Sequence, residues 1–467
     1  MFGRRQLRPA EPPLPQKRAE AEAPTLPAAR DDEPERAKAP PRGVDRRLEQ
    51  AYETIQGALY ERIDATAAAR MPRDELTAQL LELIGEIAAE HRLSLSSKEQ
   101  RELSARLVDD MVGLGPLEPL LRDETVTDIM VNGPSSVFVE RRGKLEPTGV
   151  TFRDHQQLMN VAQRIVTRVG RRIDETCPIC DARLEDGSRV NVIIPPLAID
   201  GCAISIRKFA KHKITLDRMM RQGNVSEPLG RLLKIAAACR LNIVISGGTG
   251  SGKTTLLNAL SQLIDPAERI VTIEDAAELQ LLQPHVVRLE TRPPNLEGQG
   301  EVTMRDLVRN ALRMRPDRII CGEVRGAEAM DMLQAMNTGH DGSMCTLHAN
   351  SPREAITRLE NMVTMASANL PTKAIRTQIV GAVNLVIQTA RMRDGVRRIT
   401  HVTEIVGMEG DVVTLQDLFT FEYHGEASDG TLIGEFRSST VRPHFIKRAA
   451  YYGLDRALMA AMNGAAR

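Results

Sequence analysis

Apolar residues fall into three regimes along the 467 residues of the chain. From Leu48 to Val112 they recur every three or four positions: Ala51, Ile55, Ala58, Leu59 and Ile63, then Leu76, Leu80, Leu83, Ile84 and Ile87. That spacing keeps one face of a helix apolar. Met71-Pro72-Arg73 and Leu93-Ser94-Leu95-Ser96-Ser97 break the run, which predicts a small bundle of three helices over 48–112. The second break offers a capping box, either Ser96 with Glu99 or Ser97 with Gln100.

From 113 to 210 short alternating runs replace the helical period. Residues 126–131 and 136–140 read as strands about the turn Asn132-Gly133-Pro134, and 190–194 and 203–206 as two more. Residues 157–169 read as a helix with Leu158, Val161, Ala162, Ile165 and Val169 on one face. The polar, cationic stretch 208–214 reads as a linker. From 215 to 467 helical patterns alternate with mostly apolar stretches that read as buried strands, at 243–245, 269–273, 318–322 and 343–347. Such alternation marks a parallel sheet covered by helices on both faces. Segments 385–389, 396–406, 412–415 and 420–423 read as hairpin strands appended to that sheet, and 449–462 as a terminal helix.

The first of these strands runs into Gly247-Gly248-Thr249-Gly250-Ser251-Gly252-Lys253-Thr254-Thr255 and then into a helical pattern. This is strand, phosphate loop and helix in the order G-x-x-x-x-G-K-[ST] demands. Glycines let successive N–H groups converge on an anion, and the helix offers its positive end to the same phosphates. Lys253 reaches for the β- and γ-phosphates, and the Thr254 hydroxyl is placed to ligate Mg²⁺. The expected ligands are therefore ATP and Mg²⁺. Three later strands each deliver a polar residue at the C-terminal end, Glu274, Glu323 and His348, the edge at which open α/β sheets bind ligands. Of the two glutamates, Glu323 either acts through Mg²⁺ or polarises the attacking water, and Glu274 does the other job. His348 is a candidate sensor of the γ-phosphate or coupler between subunits.

Composition narrows this further. Lys and Arg total 62, Asp and Glu total 62, and aromatics make up 3% with no tryptophan. Neither a global positive field nor stacking platforms point to direct nucleic-acid contact. Residues 1–47 hold nine of the 26 prolines, 11 basic and eight acidic residues, and are expected to be a disordered tail, either a tether or a docking segment for a polar-localisation or regulatory protein. No signal-like or membrane-spanning apolar run occurs, so a cytoplasmic protein, soluble or peripheral to a membrane, is expected. Six cysteines stand at 177, 180, 202, 239, 321 and 345. Cys239 and Cys321 read as core residues, and Cys177/Cys180 lacks the second pair a zinc site requires.

The phosphate loop, Thr272-Ile273-Glu274-Asp275, Gly322-Glu323-Val324-Arg325-Gly326 and Thr346-Leu347-His348-Ala349-Asn350 resemble, in order, the Walker A, Asp, Walker B and His boxes of the type II/type IV secretion ATPase superfamily. Stretches 289–295 and 305–317 resemble its CpaF/TadA type, the motor of tight-adherence (Flp/Tad) type IV pili. Residues 186–191 and 204–209 are similar to the N-terminal domain of that group. The resemblance implies a RecA-like P-loop ATPase domain over 215–467. A mixed α/β, PAS-like domain over 113–210 and the helical bundle would precede it. It implies a homohexamer at the cytoplasmic face of the inner membrane, powering pilus assembly or retraction through membrane platform proteins. Arg189 and Arg207 match positions that such N-terminal domains turn toward the phosphates, while Arg309, Arg313 and Arg315 suggest either an intersubunit cluster or surface salt bridges. The rival expectations are a traffic ATPase of a type IV secretion channel exporting DNA or protein, and an ATP-binding scaffold that does not hydrolyse.

Overall fold

A computed structural model describes residues 46–63, 68, 71–141, 143–209, 214–294, 298–367 and 369–464. All but the last two residues of the expected tail 1–47, and residues 210–213 of the expected linker, lie outside the described residues. Three helices, Arg46–Arg62, Arg73–Glu90 and Ser97–Val112, pack Ile55, Leu59, Leu76, Leu80, Ile84, Ile87, Leu103 and Leu107 into one core. Of the two capping boxes, Ser96 with Glu99 forms. Glu99 N–H donates to Ser96 Oγ at 3.3 Å, and Ser96 N–H donates back to Glu99 Oε2 at 2.7 Å.

A six-stranded antiparallel sheet follows. Its strands are β1 (Val126–Asn132), β2 (Val137–Arg141), β3 (Lys144–Pro147), β4 (Ile179–Arg183), β5 (Arg189–Ile193) and β6 (Ala203–Arg207), in the order β3-β2-β1-β6-β5-β4. Helix His155–Arg168, capped by Asp154, buries Leu158, Val161, Ala162, Ile165 and Val166 in the same core as this sheet.

The second sheet has nine strands: β7 (Ile243–Gly247), β8 (Ile270–Glu274), β9 (Val286–Glu290), β10 (Arg318–Cys321), β11 (Met344–Leu347), β12 (Leu385–Arg391), β13 (Arg397–Glu409), β14 (Val412–Glu426) and β15 (Leu432–Ser438). The order is β15-β14-β13-β12-β7-β11-β10-β8-β9, parallel from β12 to β9 and antiparallel beyond β12. Every residue of β7, β8, β10 and β11 is buried. Alternate residues feed opposite cores: Ile243 and Ile245 join one, Val244 the other, and Leu385 and Ile387 part from Val386 in the same way. Helices thus cover both faces of an α/β sheet.

Four sequence expectations change. First, β12 is no appended hairpin strand; it lies parallel beside β7 in the middle of the sheet. Second, β14 is one strand where two were expected. Its polar middle is satisfied across the ladder, where Thr403 Oγ1 donates to Asp417 at 2.6 Å, so the polar interruption does not end it. Third, β9 and β15 went unread. In β15, Gly434 interrupts the apolar alternation because Phe421 leaves no room there: a Cβ would lie 2.5 Å from its ring. Fourth, the terminal helix is two helices, Ile446–Tyr451 and Asp455–Gly464, parted at Gly453 with φ +71°. All six cysteines are free thiols, five buried and Cys177 half-buried.

Candidate nucleotide-binding and hydrolysis site

Gly247 ends β7 where only glycine fits, since a Cβ would lie 2.4 Å from Ser251 Oγ and 2.5 Å from the Thr389 carbonyl oxygen. The chain turns through Gly250 (φ +70°) and Gly252 (φ +97°), left-handed positions that glycine occupies without strain. Helix Lys253–Ser261 then begins, so the loop amides sit at its positive end. Thr249 and Gly250 form an exposed tip, whereas Gly248, Thr254 and Thr255 are half-buried and Ser251 is buried.

Two residues that sequence reasoning missed brace this loop from β12. Thr389 Oγ1 lies 3.0 Å from Ser251 Oγ and donates to the Ser246 carbonyl at 3.2 Å. Gln388 accepts from the Ser246 hydroxyl and donates to the Ala349 carbonyl at 3.0 Å. A polar pair closing the apolar run Leu385-Val386-Ile387 was the available signal.

From the loop a chain of charges runs along the C-terminal edge of the sheet. Lys253, only 8% exposed, donates to the Gly247 and Gly248 carbonyls at 3.1 and 3.0 Å. Its Nζ also lies 3.4 Å from His348 Nε2, which is 2.9 Å from Glu323 Oε1. The other oxygen of Glu323 accepts from Arg325 at 2.6 Å, and Arg325 reaches Asp275 at 3.4 Å. The segments after β7, β11 and β8 therefore contribute one member each, and the segment after β10 contributes two, Glu323 and Arg325. Burial pushes the Lys253 ammonium down, with Arg325 and Arg207 adding and Glu323 opposing. Burial alone would raise the Glu323 carboxyl, but Arg325, His348 and Lys253 together bring it below its ordinary value. His348 is lowered by burial and by Lys253.

Glu274 is set apart. It is 3% exposed, and Oε2 accepts from the N–H groups of Glu278 and Leu279 at 2.7 and 2.9 Å. Oε1 is buried with no hydrogen-bond partner among the described residues. Burial raises this carboxyl, and the two amides only partly offset it. A glycine at 322 is required beside it, as a Cβ there would lie 2.9 Å from Glu274 Cγ.

The first sheet supplies the remaining candidates. Arg189 and Arg207 are cross-strand partners on β5 and β6. Arg189 pairs with Glu278 at 2.7 Å, in the loop after Glu274. Arg207 pairs with Asp128 at 3.2 Å, and its charge is among those that depress Lys253. Beside Arg189, Arg183 reaches Glu290 at 2.9 Å and the Ala277 carbonyl. At the other end of the sheet, Glu140 faces Arg391 and Arg397. The six strands are thus laid across the edge of the nine, with β4–β5 over the β8–β9 side and β2–β3 over the β12–β13 turn. Arg309 pairs with Asp331 at 3.5 Å on helix Glu328–Asn337, and Arg313 and Arg315 are exposed. A cavity of ≈ 220 Å³ adjoins the phosphate loop, lined by Ser251, Gly252, Thr255, Met219, Asn224 and Arg397 among others.

Glycine cradle, buried lysine and a hydroxyl in the first helical turn fit a nucleoside triphosphate. The Thr254 hydroxyl and the Glu323 carboxylate are oxygen donors of the hard kind that Mg²⁺ prefers.

Comparison with known proteins supports this reading. Residues 110–404 match the model of the family described as type II/IV secretion system protein. A protein of Mycobacterium tuberculosis that carries a conjugal-transfer name is 40% identical over 312 residues, 66% of this chain and 88% of that one. The conjugal transfer protein TrbB of Rhizobium radiobacter is 35% identical, covering 62% of this chain and 86% of its own length. Among solved structures, the VirB11 ATPase of the Brucella suis type IV secretion system, in complex with sulphate, is 31% identical. It covers 62% of this chain and 94% of that one, with a TM-score of 0.34. The chain belongs to the type II/IV secretion system family and is one of its ATPases.

Proposed function

We propose that this chain is a traffic ATPase of a conjugative or other type IV secretion machine. It would turn ATP hydrolysis into movement of its six-stranded sheet, a PAS-like domain, against its RecA-like ATPase unit. One observation carries the reading: the charge chain Lys253–His348–Glu323–Arg325–Asp275 lies along a sheet edge that arginines of the other unit overhang. A change of charge at that edge alters what holds the overhang in place. The names of the relatives at 40% and 35% identity support secretion and conjugation.

In this reading Thr254 and Glu323 hold Mg²⁺, which when bound neutralises charge on the β- and γ-phosphates. Glu274, with its unpartnered oxygen, takes the proton of the attacking water, His348 senses the γ-phosphate, and Arg189 and Arg207 stabilise charge developing there. The protein works as a homohexamer at the cytoplasmic face of the inner membrane. Membrane platform proteins are the partners this reading takes; the 62 basic and 62 acidic residues and the scarcity of aromatics argue against direct contact with nucleic acid. The tight-adherence pilus motor is the second reading, favoured by stretches 289–295 and 305–317. Membership of an ATPase family sets aside the non-hydrolysing scaffold.

The test is Glu323→Gln. Turnover should fall by about 10²–10⁴-fold with ATP binding kept, since the ion that stabilises charge in the transition state loses a carboxylate. In the source cell the same substitution should abolish plasmid transfer or protein export while surface pili persist. Loss of pili alone would hand the assignment to the pilus reading.

A further inference from the structure

Between the phosphate loop and the first sheet stands Arg397, the first residue of β13. Its carbonyl accepts from Asn224 Nδ2 at 2.6 Å, which fixes the backbone. Its stem runs beneath Gly252, where a Cβ would lie 3.2 Å from Arg397 Cδ. Nε donates to the Gly250 carbonyl at 2.8 Å. The far end of the same guanidinium lies 3.6 Å from Oε1 of Glu140, on β2 of the other sheet. The Glu140 side chain is 16% exposed and also faces Arg391 at 3.9 Å. One carboxylate from the first sheet therefore meets two guanidinium groups beside the loop.

We propose that Arg397 is a positioning residue for nucleotide binding, through which the first sheet, by way of Glu140, sets the conformation of the phosphate loop. The carbonyl of Gly250 and the N–H of Ser251 share one peptide plane and point in opposite directions. Holding that carbonyl outward aims the N–H into the loop, where it donates to the Gly248 carbonyl at 3.3 Å. Gly250 and Gly252 have little conformational preference of their own, so a cradle of converging amides needs an external hold at this peptide. Glu140 rides on the first sheet. When that sheet swings, Arg397 loses its distal partner and the Gly250 peptide loosens. The loop then grips phosphates best with the first sheet in place.

The proposal rests on ATP binding at 247–254 and on no choice of cargo. It is tested on the full chain with Arg397→Ala, Glu140→Gln, the double variant and Arg397→Lys, by titrating a fluorescent ATP analogue and measuring KM, kcat and melting temperature. Arg397→Ala and Glu140→Gln should each weaken binding and raise KM about fivefold, with kcat holding within about twofold. The double variant should be no worse than Arg397→Ala, a coupling of about fivefold between side chains on different sheets. Arg397→Lys, a point charge that cannot serve both partners at once, should fall between wild type and Arg397→Ala. Additive losses, unchanged affinity in either single variant, or a KM that stays put while the melting temperature falls would overturn the proposal. Wild-type binding is measured first, so a failure of the ATPase reading shows there rather than in the coupling.

Discussion

Glu274 and Glu323 are both carboxylates at strand ends, yet their surroundings drive them apart. Arg325 and His348 clasp Glu323, whereas Glu274 is sealed under Gly322 with one oxygen unpaired among the described residues. On the reading proposed above, a pair of acids split in this way is suited to divide labour between an ion-holding group and a proton acceptor. Because burial raises Glu274, the acid limb of turnover that it governs should lie above a glutamate's ordinary 4.5. The stability effect has a definite sign. A folded-state value above the unfolded one penalises the ionised form, and the penalty is absent below the unfolded value and complete above the folded one. Glu274→Gln should therefore raise the melting temperature at pH 8 by about 2 °C while cutting turnover about 100-fold or more. A drop in both, read by calorimetry and phosphate release, would mean that the carboxylate stabilises the fold rather than serving the chemistry.

At the scale of elements, the neighbour of the phosphate loop matters as much as the loop. β12 presses Thr389 against Ser251 and Gln388 against Ser246, and no glycine-rich pattern announces either residue. Thr389→Val keeps the shape but leaves the buried Ser251 hydroxyl and Ser246 carbonyl without this partner. It should cost about 1–3 kcal/mol in denaturant unfolding and raise KM for ATP, whereas a surface threonine changed in this way costs almost nothing. The strands ending at Gly247, Glu274 and Cys321 were legible because each is apolar on both faces and is followed by a polar residue or a glycine turn. β9 and β15 were not, since edge strands need bury only one side and glycine or arginine dilutes their period. The place of β12 was hidden for another reason: the same run Leu385–Thr389 suits a hairpin or a parallel strand, and only its long-range pairing with β7 decides. Glu274, Glu323 and His348 could be named from their strand-end positions. Arg397 and Glu140 could not, because their partners lie far away in the sequence.

At the scale of the molecule, the contacts described between the two sheets are made by charge. Arg183–Glu290 and Arg189–Glu278 hold one end, Glu140 with Arg391 and Arg397 the other. No apolar core cluster among the described residues draws on both sheets. Half-exposed ion pairs weaken as salt screens them. Raising the salt from about 0.05 to 0.5 M, across which the Debye length shrinks to a few ångströms, should increase the radius of gyration seen by X-ray scattering and raise KM for ATP. The far-ultraviolet circular dichroism should not change. A radius indifferent to salt would show that something other than these pairs fastens the sheets.

A joint fastened by such pairs has little preference of its own. Each is worth about 0–1 kcal/mol, so on the proposed reading the four pairs together hold the shut arrangement of the two sheets over a parted one by at most about 4 kcal/mol. A ligand that grips one of them only about 3 kcal/mol better then shifts their ratio by more than a hundredfold. On the proposed reading, what remains of the free energy of each ATP is available for whatever load the sheets push against.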